Sequence, residues 1–245
     1  MQGFDERFDS PPSYILGVTE EIWEQQGVDR LRDYYTDDIP VRSPDGFVIG
    51  SEAVIEATWA TLREFPDRQL LGEDVIWSDD GEGGFMSSHR IFSTATHSGD
   101  GAFGKATGTK LQYRVIADCA ARSNQIYDEW LVLDLSAVAS QLGYGARDFA
   151  TLQIDAQGGI DHAVRPAMSQ DDPPHVYTGR GNNHPTGERY VASLRSMVTG
   201  TDAPVRAIYD RAAQLEVPGG RTLHGWAGAE TFWSGLRTAV PDARL

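Results

Sequence analysis

Cysteine is nearly missing from this chain of 245 residues: Cys119 stands alone, so no disulfide can form within the chain. Basic residues are also few, with 21 Lys and Arg against 36 Asp and Glu and a net charge of −15. Such an acidic surface repels phosphate backbones and anionic lipid, so we expect no nucleic-acid or membrane partner. No apolar run is long enough to span a bilayer, and residues 1–12 lack the apolar core of a secretion signal. A cytoplasmic protein is therefore expected.

What the sequence does contain predicts an α+β fold. Apolar residues at helical spacing predict two helices over residues 13–35, and Ser51 caps a third helix that ends before Pro66. The period then changes from 3.6 to 2, which indicates strands over residues 70–77, 85–96, 111–122 and 125–134. This order predicts a cone-shaped, curved antiparallel sheet packed on three N-terminal helices, with a cavity between the two layers.

The last part of the chain resembles the beginning. The stretch from Tyr209 repeats features of the stretch from Tyr35, including a Pro-x-Gly turn, a Trp before Leu-Arg and a Pro-Asp pair. We therefore predict a first domain over residues 1–145, a linker rich in Asp, Pro and Gly over 146–184, and an incomplete second copy over 185–245 that lacks its main sheet. Two alternatives remain for this copy: it docks on the first domain or another subunit, or it is a weakly ordered tail.

A two-residue turn at Ser123-Asn124 sets the predicted pairing of the last two strands. Asp118 then falls opposite Glu129, and Tyr127 lies on the same face. Two neighbouring carboxylates on a buried face cannot both stay charged, so one pKa rises and the pair suits acid–base chemistry. The alternative is an outward, solvated face or neutralisation by a nearby arginine.

A polar, glycine-rich segment, ATHSGDGAFGKATGTKL, connects two predicted strands over residues 95–111. Its His97 ends the incoming strand and shares a face with His89. We expect this segment to shape the rim of a ligand cavity, although a histidine at such a position more often anchors a loop. The histidines lack the close spacing of metal ligands, and the glycines lack a P-loop lysine, so no metal or cofactor is predicted.

Aromatic residues of the helical region, among them Tyr35 and Trp59, are expected in the core. One or two of these rings are expected to line the cavity. Together with His89 and Tyr127 they form the predicted substrate-binding set.

The segment from Thr96 to Trp130 resembles the SnoaL-like polyketide cyclases of the nuclear-transport-factor-2-like superfamily. The resemblance rests on Thr-His-x-Gly at 96–99, Gly104, Thr107-Gly108, Asp118 and the run Ile126 to Trp130. It extends over about residues 13–143. It implies a cone-shaped α+β barrel, often dimeric, that holds a small apolar molecule.

The resemblance also implies roles for individual residues. Asp118 would be the acid–base catalyst of a cofactor-free intramolecular aldol closure, and His97 would position a substrate oxygen. One departure matters, because Glu129 stands where the family pattern has a histidine. A second anion near Asp118 raises a pKa rather than lowering it.

Three functions stay open at this point. The first is an enzyme, a cofactor-independent cyclase, isomerase or hydratase that uses Asp118 with Glu129 and His97. The second is a non-catalytic module that binds a small molecule. The third is an interaction protein whose partial repeat contacts a partner. Fold alone does not choose among them.

Overall fold

A computed structural model describes residues 1–44, 46–164, 184–200 and 205–244. Contacts group the chain into two compact units, Met1–Val176 and Tyr177–Leu245. Within the described ranges, no helix has both the length and the apolar character needed to cross a membrane.

The first unit combines helices with one large sheet. Its helices are α1 (Pro11–Trp23), α2 (Leu31–Tyr34), α3 (Ser51–Glu64), α4 (Leu135–Gln141) and α5 (Ala146–Ala156). Its strands are β1 (Pro40–Ser43), β2 (Gly46–Ile49), β3 (Gln69–Asp79), β4 (Phe85–Thr96), β5 (Lys110–Arg122) and β6 (Gln125–Leu133). The sheet order is β2-β1-β6-β5-β4-β3. The predicted α+β class is confirmed, although the sheet is mixed, because β1 runs parallel to β6.

Helix α1 begins where the sequence predicts a cap. The hydroxyl of Ser10 accepts a hydrogen bond from the backbone N–H of Ser13, and Pro11 occupies the first turn, where a missing N–H does no harm. The helix buries one stripe of side chains against the sheet: Tyr14, Ile15, Val18 and Ile22. Burying each such side chain contributes about 1.5–3 kcal/mol, so packing rather than helix propensity holds α1 in place.

The long strands bury one face and leave the other more exposed. Along β4 and β5, buried side chains alternate with partly exposed ones, as a period of 2 requires. His89 pairs with Ala117 and Ser87 pairs with Cys119, so the inner faces of the two strands are in register. This inner face lies towards α1 and is the surface that positions the candidate site.

The β5–β6 hairpin contains a bulge that changes the predicted pairing. Ser123 and Asn124 form the two-residue turn, with φ of 50° and 65°. The ladder then shifts between Ala120 and Ala121, and Tyr127 is left unpaired. The prediction that Asp118 faces Glu129 is wrong: Asp118 pairs with Trp130, and Glu129 pairs with Cys119. One extra residue moved all later side chains of β6 by one position.

The second unit consists of α6 (Pro185–Thr199), α7 (Val205–Ile208), β7 (Gln214–Val217), β8 (Arg221–His224) and α8 (Gly225–Ala239). Strands β7 and β8 form an antiparallel pair. This element order is the order of α1, α2, β1, β2 and α3 in the first unit. The internal repeat and its domain boundaries stay predictions, and two of the residues that suggested them, Asp45 and Leu245, lie outside the described residues.

The predicted linker over 146–184 falls partly on residues 165–183, which lie outside the described residues. Its described beginning is α5, whose Phe149 is buried and stacks on Phe103 at 5.7 Å between ring centroids. Residues 146–164 therefore belong to the first compact unit.

Candidate functional site

A cavity of about 240 Å³ lies between the inner face of the sheet and the helices α1 and α3. Most of its wall is apolar, with contributions from Val18, Ile22, Leu70, Ile91, Val115 and Leu131. Partly exposed lining residues lie on α1 and α3, such as Thr19, Ala57 and Thr61, and on the strands, such as Val48 and Leu133. The cavity is therefore suited to a small, largely apolar molecule.

Glu129 is the carboxylate in the cavity wall. It projects from β6 on the inner face and is 6% exposed. Burial raises the pKa of this carboxyl to about 7, and the neighbouring charge of Asp128 adds to the rise. A carboxyl with such a pKa exchanges protons readily near neutral pH, which an ordinary exposed glutamate does not.

Two neighbours hold the Glu129 carboxyl in place. The Tyr35 hydroxyl donates a hydrogen bond of 2.8 Å to Oε2, and the Cys119 thiol lies 3.7 Å from Oε1. Both bonds favour the charged form and oppose the effect of burial on the Glu129 pKa. Burial raises the pKa of Tyr35 and of Cys119 well above the usual range, so both remain protonated donors.

His89 also lines the cavity, one strand beyond β5 from Glu129. Its ring is buried, and desolvation lowers its pKa to about 4, so the imidazole is neutral at physiological pH. Its Nε2 atom is enclosed without a hydrogen-bond partner among the described residues. The nitrogen lies beside Gly72, where an added Cβ would come within 3.0 Å. His89 thus presents an uncharged ring to the cavity.

Arg68 is a lining residue that the sequence reasoning missed. It lies in the turn between α3 and β3, is 8% exposed, and donates from Nε to the hydroxyl of Ser93 at 3.3 Å. Its guanidinium lies 4.5 Å from the Trp23 ring centroid and 5.7 Å from that of Tyr113. The only sequence signal was an arginine directly before a strand, which is a common surface pattern.

Three other predicted site residues lie away from the cavity. Asp118 is on the opposite side of β5 from Cys119, and its buried Oδ1 has no hydrogen-bond partner within the described part of the chain. Tyr127 is the unpaired residue of the bulge, beneath the guanidinium of Arg122. Trp59 is 38% exposed on α3. The structure therefore brings Tyr35, His89 and Glu129 together at the cavity and leaves these three outside it.

His97 is fully buried in the loop that follows β4. Its Nε2 lies 3.2 Å from Oε1 of Glu64, and its Nδ1 lies 3.1 Å from the Thr107 hydroxyl. The same Glu64 carboxylate accepts backbone N–H bonds from Ala102 and Phe103. His97 does not line the cavity. Its contacts are those of a loop anchor.

The glycines of this loop allow its backbone to approach the end of α3. A Cβ on Gly99 would lie 2.1 Å from the carbonyl oxygen of Arg63, and a Cβ on Gly101 would lie 2.3 Å from Oε2 of Glu64. Neither distance is possible for a real side chain. The glycine-rich segment is thus explained by close packing around Glu64.

Metal-binding geometry is not found in the described ranges, where no group of three or more His, Cys, Asp or Glu side chains is placed to hold an ion. The polar groups at the cavity are the cluster of Tyr35, Cys119 and Glu129, with His89 and Arg68 elsewhere in the wall. Their arrangement suits hydrogen bonding and proton transfer to an organic ligand.

The family model of SnoaL-like polyketide cyclases matches residues 14–142, just over half of the chain, which include most of α1, helices α2 to α4 and the six-stranded sheet. The chain belongs to the SnoaL-like polyketide cyclase family. No individual curated protein shows a significant match to this SnoaL-like chain.

Solved structures resemble the SnoaL-like unit. AclR from Streptomyces galilaeus is 20% identical, with a TM-score of 0.47, and the match covers 54% of this chain and 94% of that one. IdmH from Streptomyces antibioticus is 20% identical, with a TM-score of 0.47, covering 55% and 99%. A SnoaL-like polyketide cyclase from Agrobacterium tumefaciens is 19% identical, with a TM-score of 0.46, covering 56% and 100%.

Proposed function

We propose that the first unit binds a small carbonyl compound in its cavity and that Glu129 moves a proton on this compound without a cofactor. The observation that carries the proposal is the Glu129 carboxyl itself: buried in an apolar wall, fixed by Tyr35, and with its pKa raised to about 7. A base with this pKa is about half ionised at neutral pH, which favours both removal and return of a proton.

The chemical step balances without a further reagent. The Glu129 carboxylate removes a proton from a carbon next to the carbonyl, and the electron pair of that bond forms an enolate. In a cyclase the enolate carbon attacks a second carbonyl of the same molecule, and the new alkoxide takes the proton back from Glu129. In an isomerase the proton returns to a different carbon. The apolar wall supports the step because it keeps competing water away from the carboxyl.

The roles expected from the resemblance are assigned differently in this proposal. Glu129 takes the acid–base role, because it is the acid that lines the cavity, whereas Asp118 lies on the other side of β5. Tyr35 positions Glu129, and His89 contributes a neutral wall. His97, Tyr127 and Trp59 take no part at the cavity.

Exchange of an acidic C–H bond tests the proposal. The full-length protein is mixed with 2-tetralone in deuterated buffer. Deuterium uptake at the carbon next to the carbonyl is followed by NMR. We expect uptake faster than in buffer for the wild type, loss of this excess in Glu129→Gln, and full retention in Glu56→Gln, which changes an exposed glutamate of α3.

The possible results separate the candidate functions. Loss of the excess in Asp118→Asn but not in Glu129→Gln would return the catalytic role to Asp118. A wild type that binds the ketone without accelerating exchange would identify a binding module instead of an enzyme.

We also propose that the first unit pairs with a second copy of itself. The outer face of the sheet exposes apolar side chains, with Leu71 47%, Ile76 64% and Val132 61% exposed. Exposed apolar groups on one sheet face favour association. Sedimentation equilibrium tests this: Ile76→Glu should lower the mass of a dimer to that of a monomer, and a wild-type monomer would remove the proposal.

A further inference from the structure

The cavity contains a positive charge that the proton transfer at Glu129 does not use. Arg68 is the only Lys or Arg among the described residues of its wall. Its side chain is more than nine-tenths buried. A guanidinium in such a place normally has a carboxylate partner, because removing a lone charge from water costs several kcal/mol.

The described part of the chain supplies no carboxylate in an ion pair with Arg68, although Glu24 interacts with its charge. Arg68 forms no ion pair there, and its single hydrogen bond is donated by Nε to the neutral hydroxyl of Ser93. The Nη groups are left without a protein acceptor in the described ranges. Glu24 forms no ion pair with Arg68, and its Oε1 accepts the backbone N–H of Leu70.

Aromatic rings fix the orientation of the guanidinium. Trp23 and Tyr113 each lie within cation–π distance of it. A planar fork held in this way loses little conformational entropy when it binds a planar acceptor. The guanidinium is thus held in one orientation, with its Nη atoms left for a ligand.

We propose that Arg68 binds a carboxylate group of the ligand through its Nη atoms. This inference rests on the proposed ligand cavity and adds the substrate class: an apolar carbonyl compound that also carries an acid. A monoanion matches the single positive charge of the wall. A phosphate dianion would leave a second negative charge buried without compensation, so the carboxylate is favoured.

The position of Arg68 sets the shape of this ligand. Arg68 contacts Ser93 of β4. Glu129 lies in the same cross-strand row as Ser87 of β4, two strands away. Ser87 and Ser93 are six positions apart, about 20 Å of extended chain before the side chains reach inward. The acid group of the ligand is therefore separated along the strand direction from the carbon at Glu129.

Calorimetric titration of the full chain tests the proposal with three probes that share one naphthalene ring: 2-naphthoate, its neutral methyl ester, and 2-naphthyl phosphate. We expect 2-naphthoate to bind the wild type about tenfold or more tightly than the ester, since a hydrogen-bonded charge pair is at stake. Arg68→Met should remove this preference while keeping the affinity for the ester within about twofold, which also shows that the variant is folded. Arg63→Met, which removes an exposed arginine at the end of α3, should behave as the wild type.

Each other outcome overturns a defined part of the inference. Equal affinity of acid and ester for the wild type would remove the role of Arg68 and leave the cavity proposal intact. Tighter binding of the phosphate would replace the carboxylate as the ligand group. No binding of any probe would remove both the anion site and the proposed ligand cavity. An acid preference that survives in Arg68→Met would place the anion elsewhere.

Discussion

The hydroxyl of Tyr35 lies 2.8 Å from Oε2 of Glu129, and this contact joins the end of the helical segment to the inner face of β6. It is a buried bond between a phenol and an acid, and it holds the carboxyl at the cavity wall. Because the bond is stronger to the charged carboxylate, it limits the effect of burial on the Glu129 pKa.

Removing this hydrogen bond should change the acidity of Glu129. In Tyr35→Phe the carboxylate loses its donor, and we expect the pKa of Glu129 to rise above its wild-type value of about 7. Carbon NMR of labelled glutamate side chains, titrated over pH, measures this directly. Tyr144→Phe removes a tyrosine hydroxyl that does not contact Glu129 and should leave the titration unchanged. A pKa that falls in Tyr35→Phe would contradict the role assigned to the bond.

Glu129 should also make stability depend on pH. Its pKa is raised from 4.5 to about 7, so the native state keeps a proton that the unfolded chain releases, and stability falls as pH rises through this range. The shift corresponds to about 3 kcal/mol. Between about pH 4 and pH 8, the free energy of unfolding of the wild type should fall by this amount relative to Glu129→Gln. Urea denaturation at several pH values checks it, and parallel curves for the two proteins would count against a buried, protonated Glu129.

His89 should give a slope of opposite sign. Its pKa is lowered from 6.5 to about 4, so the unfolded chain binds a proton that the native state refuses, and stability is lost as pH falls through that window. The loss is about 3 kcal/mol and should be absent in His89→Phe. His162→Gln changes an exposed histidine of the same unit and should retain it. Since the slopes of His89 and Glu129 oppose each other below about pH 6.5, the wild type alone would show little change there.

The loop around Glu64 offers a test of close packing. Gly101→Ala places a methyl group 2.3 Å from the Glu64 carboxylate, so the loop must move, and we expect a loss of about 1–3 kcal/mol in the free energy of unfolding. In the Glu64→Ala background the obstacle is gone, and the same change should cost clearly less. Thermal unfolding of the four proteins in this double-mutant cycle measures the difference. Additive effects would mean that Glu64 is not what restricts residue 101.

Much of the fold was predictable because periodicity is a local property. The helices around Tyr14 and Ile55 and the alternation along β4 follow from apolar spacing, and the Ser123-Asn124 turn follows from its length. The family could also be predicted, since the Thr-His-x-Gly loop lies within the matched range.

The site was predicted less well because it depends on register and on contacts between distant residues. No sequence pattern indicates that Tyr127 is skipped in the ladder. This bulge decides whether Asp118 or Glu129 reaches the cavity. The position of Arg68 in the cavity could not be predicted for a similar reason, because its partners Trp23 and Tyr113 are distant in sequence. His97 was predicted to be a site residue, with loop anchoring as the alternative. Its contacts are those of a loop anchor.

The surplus residue in β6 has a consequence for how this strand can vary. In most strands, deletion of one residue moves every later side chain of the strand to the opposite face of the sheet, and the fold is lost. Deleting Tyr127 would instead turn the bulge into a plain ladder and leave Glu129 opposite Cys119. On the β5 side, we therefore expect an in-frame deletion here to preserve the pairing, whereas β4 has no surplus residue against β5 that could be lost in this way.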